Sequence, residues 1–156
     1  MTMRIAIAQV NSTVGDLNGN AGKIVSYIRQ AQEFGADMVV FPELALTGYP
    51  PEDLLLKPKF IDDNIVAMKE LARSVSDIVA IVGFVDKKGK DLYNAAAVIY
   101  KGEIKGVFQK MILPNYGPFD EKRYFAPGKE ARVFQYGKVL FGGNICEDIW
   151  HSTGPT

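Results

Sequence analysis

The order of its apolar segments constrains this chain more than any other feature. Two strand-then-helix units come first, and strands with no helix between them follow. Residues 4–10, RIAIAQV, are a short apolar run with β-branched residues and read as a buried strand. A loop over 11–19 leads to Asn20, a helix-cap candidate. Ile24, Ile28 and Ala31 mark one helical face, and Gly35 ends that helix. Residues 38–41 form a second strand, and 53–56 predict a helical turn. Ile61, Ile65, Met68, Ala72 and Val75 recur at helical spacing and predict a helix over 60–76. Residues 78–85, 92–100 and 103–109 are consecutive strands joined by turns at 86–90 and 101–102. A loop segment spans 110–130, and loops that long are usually functional. Residues 131–136 and 139–145 pair as a hairpin around Gly137-Lys138. The result is an α/β chain, its sheet carrying both helices on one face. The other face is also apolar and needs a partner, either a second sheet or further chain.

Bulk properties exclude several function classes. Lys plus Arg and Asp plus Glu are both 18, so net charge gives no case for nucleic acid or an anionic membrane. No apolar run approaches the roughly 18 residues of a membrane span. A single cysteine, Cys146, excludes an internal disulfide and fits a reducing, cytoplasmic setting. Gly15, Gly19 and Gly22 lie between a strand and a helix, but not at dinucleotide-binding spacing, so they read as turn residues.

Three reactive side chains stand at strand exits. Glu43 follows VVFP, Lys110 follows VFQ, and Cys146 follows VLFGGNI. Taken singly, the first two read as solvated surface residues, and the third reads equally as a buried structural thiol or a reactive one. Together they form a coherent set at one sheet edge. Cys146 is a nucleophile toward a carbonyl carbon, placed at a helix start where the dipole favours thiolate. Glu43 takes the thiol proton and later activates water. Lys110 stabilises the tetrahedral oxyanion, with a backbone N–H after Cys146.

Three segments around these residues carry a family resemblance. FPELALTGYPPEDLL, KMILPNYGPFDEKRYF and GGNICEDIW resemble the catalytic blocks of the nitrilase, or carbon–nitrogen hydrolase, superfamily. Residues 47–55 and 146–150, and the opening IAIAQVNSTVGDLNGN, are closest to the N-terminal glutaminase domain of glutamine-dependent NAD synthetases. The resemblance covers essentially the whole chain. It implies a four-layer α-β-β-α sandwich, and residues 1–156 as the first part of one such domain. It implies Glu43 as general base, Lys110 as oxyanion stabiliser and Cys146 as nucleophile. It implies Glu121 as a second glutamate orienting the lysine and the amide, with Tyr116, Glu147 and Trp150 lining a glutamine pocket. Glu147 suits the substrate ammonium. For Trp150, core packing is nearly as good a reading. No cofactor is implied for this domain. ATP, Mg and deamido-NAD belong to a synthetase domain outside residues 1–156, and the assembly is expected to be a homo-oligomer. The ending HSTGPT reads as that of a fragment, expected to be weakly active or inactive alone. Three other readings stay open on the residues: an amidase or carbamoylase for another small amide, a Cys–His hydrolase using His151, and a silent scaffold.

Overall fold

A computed structural model describes residues 2–152, 154 and 155. Five strands form one sheet in chain order: β1 (Ile5–Ile7), β2 (Met38–Val40), β3 (Val79–Lys88), β4 (Asp91–Tyr100) and β5 (Glu103–Gln109). β1, β2 and β3 are parallel, with Ile5 opposite Met38 and Met38 opposite Val79. The helices α1 (Leu17–Glu33) and α2 (Pro58–Arg73) are their crossovers. Right-handed crossovers between parallel strands running in one direction across a sheet put both helices on the same face. β3, β4 and β5 then continue as an antiparallel meander.

Alternation along the strands sorts side chains to two cores. Val39, Ala80, Val82, Ala95, Ala97 and Ile99 meet α1 and α2 through Ile24, Ile28, Met68 and Leu71. Met38, Val79, Ala96, Val98 and Phe108 face the other way. There they meet Phe134, Tyr136 and Phe141 of a hairpin, β6 (Val133–Tyr136) with β7 (Val139–Gly142). The hairpin is a separate two-stranded sheet. The described layers therefore run helix, sheet, sheet, and the apolar second face is covered by a second sheet.

Five expectations need correction. The first strand is shorter than residues 4–10 and is not buried: it is the sheet edge, and Ile7 is 79% exposed. Asn20 is not the cap of α1. Asp16 is, accepting from Gly19 N at 2.9 Å, while Asn20 is buried inside the helix. Its amide accepts from Thr13 N and donates to Thr13 O and Leu46 O, so a loop and the Glu43 segment recruit it from the cap. Asp16 also fills the helix N-terminus where a phosphate would bind, and Gly15, at φ +81°, is a turn residue as expected, but Gly19 and Gly22 lie inside α1 and not in a turn. The second helix begins at Pro58, a residue preset for a first helical position, and ends at Arg73. The strands beside residues 86–90 run further than expected, leaving a turn at Gly89-Lys90.

Candidate active site

The exit of β2 positions Glu43. The chain turns sharply there, with Leu44 at φ +50°. Gly83 of β3 passes directly beneath: a Cβ on it would lie 2.4 Å from Pro42 O and Leu44 N. Only glycine permits that approach. Leu46 N donates to Gly83 O, and Ser12 Oγ donates to Ala45 O, so the loop carrying Glu43 is fixed from both sides.

Lys110 directly follows β5, and its backbone N–H donates to Asn94 O on β4 at 2.8 Å. Its side chain is 0% exposed. Burying an ammonium costs several kcal/mol, so partners are required. Nζ donates to Glu43 Oε1 at 2.7 Å and to Glu121 Oε1 at 2.8 Å. Asn94 Nδ2 also donates to Glu43 Oε1, at 2.6 Å, and reaches Glu121 Oε2 at 3.5 Å. Glu121 opens a short 3-10 turn, Glu121–Arg123, within the long loop. Sequence reasoning identified Glu43, Lys110 and Glu121 but missed Asn94. Its signal was a lone amide in the otherwise apolar stretch NAAAVI of a central strand.

Cys146 opens a five-residue 3-10 turn, Cys146–Trp150, after β7. It sits at φ +47°, a strained conformation for a side chain bearing a Cβ. Residues held in that region cluster at functional sites. Asp148, 1% exposed, anchors the turn. Its Oδ2 accepts from Ile145 N at 3.0 Å, and its Oδ1 accepts from Met111 N at 2.9 Å and Ile112 N at 2.8 Å. One carboxylate thus ties the backbone beside Cys146 to the residues after Lys110. Asp148 is a second residue the sequence reading passed over.

The expected helix-start activation of Cys146 is not found. Burial, then the Glu43 charge, pushes the thiol up from its ordinary value, outweighing the pull of Lys110. A single 3-10 turn has few aligned dipoles, and the Glu43 carboxylate outweighs the Lys110 ammonium. The same excess of negative charge acts throughout the site. Two glutamates share one lysine. Burial pushes Glu121 up, opposed by Lys110. Burial also raises Tyr49, with Glu121, Glu43 and Cys146 adding to it. Lys110 is pulled down by burial, but the charges and hydrogen bonds of Glu43 and Glu121 prevail and the net is upward.

The remaining expected residues divide. Tyr116 Oη donates to Glu147 Oε2 at 2.9 Å, and His151 Nε2 lies 3.1 Å from Glu147 Oε1. Both contacts pull the Glu147 carboxyl below its ordinary value. His151 is thus engaged with Glu147, which removes support from a Cys–His pair. Trp150 is 78% exposed and packs in no core among the described residues. A cavity of about 370 Å3 between the sheet and the hairpin is lined by Phe41, Glu43, Phe108, Asn144 and Cys146 among others. A second, of about 310 Å3, is lined by Tyr49, Asp120, Glu121, Arg123 and Tyr124 among others. Among the described residues no group of three or more His, Cys, Asp or Glu is placed to hold a metal. Among the described residues no helix is long and apolar enough to cross a membrane.

A buried Glu–Lys–Glu cluster facing a cysteine on a strained turn, carried on a two-sheet α/β frame, is nitrilase-like architecture. The carbon-nitrogen hydrolase family model matches residues 4–155, and the chain belongs to that family. It is similar to the glutamine-dependent NAD+ synthetase of Thermotoga maritima, 46% identical over 156 residues, covering 99% of this chain and 27% of that protein. The Xylella fastidiosa synthetase is likewise 46% identical over 153 residues, covering 96% of this chain and 28% of that protein. The chain therefore spans little more than a quarter of these curated relatives. Among solved structures, the synthetase of Acinetobacter baumannii in complex with ADP superposes with a TM-score of 0.91 and 43% identity, over 95% of this chain and 28% of that one. An amidase from Nesterenkonia sp. AN1, with acrylamide added at its active-site cysteine, gives 0.80 and 26% identity, over 95% and 59%.

Proposed function

We propose that this chain is the glutaminase portion of a glutamine-dependent NAD synthetase acting in the cytoplasm. The observation that carries this reading is the shared lysine: Lys110 held between Glu43 and Glu121, with Cys146 close enough that the Glu43 charge raises its thiol. Glu43 accepts the Cys146 proton, and the thiolate attacks the side-chain carboxamide carbon of glutamine. The Lys110 ammonium and the backbone N–H of Glu147 receive the developing oxyanion. The tetrahedral adduct collapses, the proton on Glu43 goes to the leaving nitrogen, and ammonia departs. Water, deprotonated by Glu43, then cleaves the thioester to glutamate and restores the thiol. Glu121 orients Lys110. Tyr116, Glu147 and Trp150 belong to the glutamine pocket, Glu147 pairing with the substrate ammonium. The ammonia serves ATP-dependent, Mg-assisted amidation of deamido-NAD in a synthetase domain outside this chain, within a homo-oligomer.

A glutamine-like diazoketone incubated with the intact protein tests the substrate class. An adduct on Cys146 by mass spectrometry, with glutamine-driven but not ammonia-driven synthesis lost, is the expected result. Absence of that adduct would favour a second reading, an amidase for another small amide. The likeness to the Nesterenkonia amidase supports that alternative.

A further inference from the structure

Asn94 is a buried amide on a central strand, and it touches every member of the Glu–Lys–Glu cluster. Its backbone carbonyl holds the Lys110 N–H, and its Nδ2 meets both carboxylates. The amide orientation follows from chemistry, since the carbonyl oxygen turned around would face two carboxylates. Among the described residues Oδ1 has no hydrogen-bond partner, so the side chain is oriented by what Nδ2 donates to. The two donors reaching Glu43 both take the same oxygen. Lys110 Nζ and Asn94 Nδ2 meet Oε1, and neither meets Oε2.

We propose that Asn94 is a positioning residue that selects the proton-accepting oxygen of Glu43: its amide and the Lys110 ammonium occupy Oε1, leaving Oε2 for the Cys146 thiol. The proton then moves from Sγ to Oε2, leaving a thiolate and a neutral carboxyl still held at Oε1. The proposal rests on reading Glu43 as the base and Cys146 as the nucleophile. Titratable groups facing Glu43 are Lys110 after β5, Glu121 in the long loop, Cys146 on its turn and Tyr49. Lys110 and Asn94 are the donors to Glu43, and only Asn94 can be removed without changing the charge of the set.

The rate of Cys146 alkylation by iodoacetamide against pH, in the full-length protein, tests this. Its acid limb reports formation of the thiolate, in which Glu43 takes the Cys146 proton. Asn94→Ala deprives the carboxylate of a donor, so the limb moves to higher pH, by about one unit. Asn94→Asp adds a third carboxylate and moves it further. Glu43→Gln is the control: the limb that remains is that of the unassisted Cys146 thiol, so its midpoint changes. A limb that keeps the wild-type midpoint in Glu43→Gln overturns the assignment of the base. A midpoint changed by Glu43→Gln but unmoved in folded Asn94 variants overturns this inference alone. Should both variants misfold, the wild-type side-chain amide resonances of Asn94, in protein labelled with 15N-asparagine, decide. They move with the same midpoint if the amide serves Glu43, and resonances that do not move overturn the proposal.

Discussion

The two halves of the site are built in opposite ways. Glu43, Lys110, Glu121 and Asn94 sit where the central sheet meets its long loop, with Lys110 wholly buried and every charge paired. Cys146 is exposed, on a short turn carried by a two-stranded sheet. The first half is a packed electrostatic unit that contributes to the core. The second is a strained backbone corner whose stability comes from one carboxylate, Asp148, and from the stack of Phe134 on Phe141 and the edge contact of Phe134 with Phe108. Proton chemistry needs fixed charges in a dry setting, whereas a nucleophile needs access to its substrate.

Removing one reactive residue from each half breaks the comparison most sharply. Cys146→Ala removes the proposed nucleophile, and turnover is expected to fall by about 10⁴-fold or more, on the scale of other lost nucleophiles. Cys146 is an exposed residue and its loss leaves no buried charge unpaired, so the unfolding free energy stays within about 0.5 kcal/mol of wild type. Lys110→Met loses activity comparably and also strands two carboxylates, costing about 3–5 kcal/mol of stability. Denaturant unfolding of the two variants measures the contrast. Equal stability losses would show that the halves are not built differently.

The pH dependence carries the same distinction. Lys110 has its folded value raised, so its contribution to stability is complete below the ordinary lysine value of 10.5. That contribution is lost as pH rises through the folded value. Wild type therefore loses stability on the alkaline side of 10.5, and the loss is reduced in Lys110→Met. Denaturant midpoints from neutral to strongly alkaline pH check this. Cys146→Ala instead removes the part of the loss that begins above the ordinary thiol value of 9.0, because that thiol is also raised, and keeps the part that Lys110 contributes.

This division also explains what was legible in the sequence. Glu43, Lys110 and Cys146 each terminate an apolar run, so period and punctuation alone placed them at strand exits. Glu121 needed the family resemblance, because nothing in FDEKRY distinguishes one acid from the next. Asn94 and Asp148 were passed over for a different reason. Their function lies in partners far along the chain, Glu43 for one and Met111 and Ile112 for the other. Asn20 shows the same limit: local propensity made it a cap, while long-range bonds to Thr13 and Leu46 drew it inside. The hairpin's strands were visible from alternation and turn chemistry. Its departure into a second sheet was not, because that depends on Phe134 and Phe141 finding Phe108 on the opposite layer.

Asp148→Asn probes the joint between the halves and has an intermediate effect. The amide keeps one acceptor oxygen where the carboxylate had two, so a donor must face either Ile145 N–H or the pair at Met111 and Ile112. Leaving a buried N–H unsatisfied costs about 1–3 kcal/mol. The larger consequence is geometric, since misplacing a reacting atom by about 1 Å costs on the order of 10²-fold in rate. Steady-state kinetics should show turnover falling by about that factor with KM nearly unchanged. A raised KM with wild-type turnover would instead assign Asp148 to the substrate pocket.

Tyr116→Phe has the smallest effect and sharpens the comparison at the outer rim. Tyr116 is exposed and its hydroxyl donates to Glu147, so the exchange removes one rim hydrogen bond. That corresponds to a few-fold rise in KM for glutamine if Glu147 pairs with the substrate ammonium, because the hydroxyl orients that carboxylate. Turnover stays near wild type, since no reacting atom moves. Glu147→Gln gives a larger rise in KM by removing the charge itself, which places the two variants on one scale. A Tyr116→Phe variant that lost turnover while keeping its KM would move Tyr116 from the rim into the proton chemistry of the buried half.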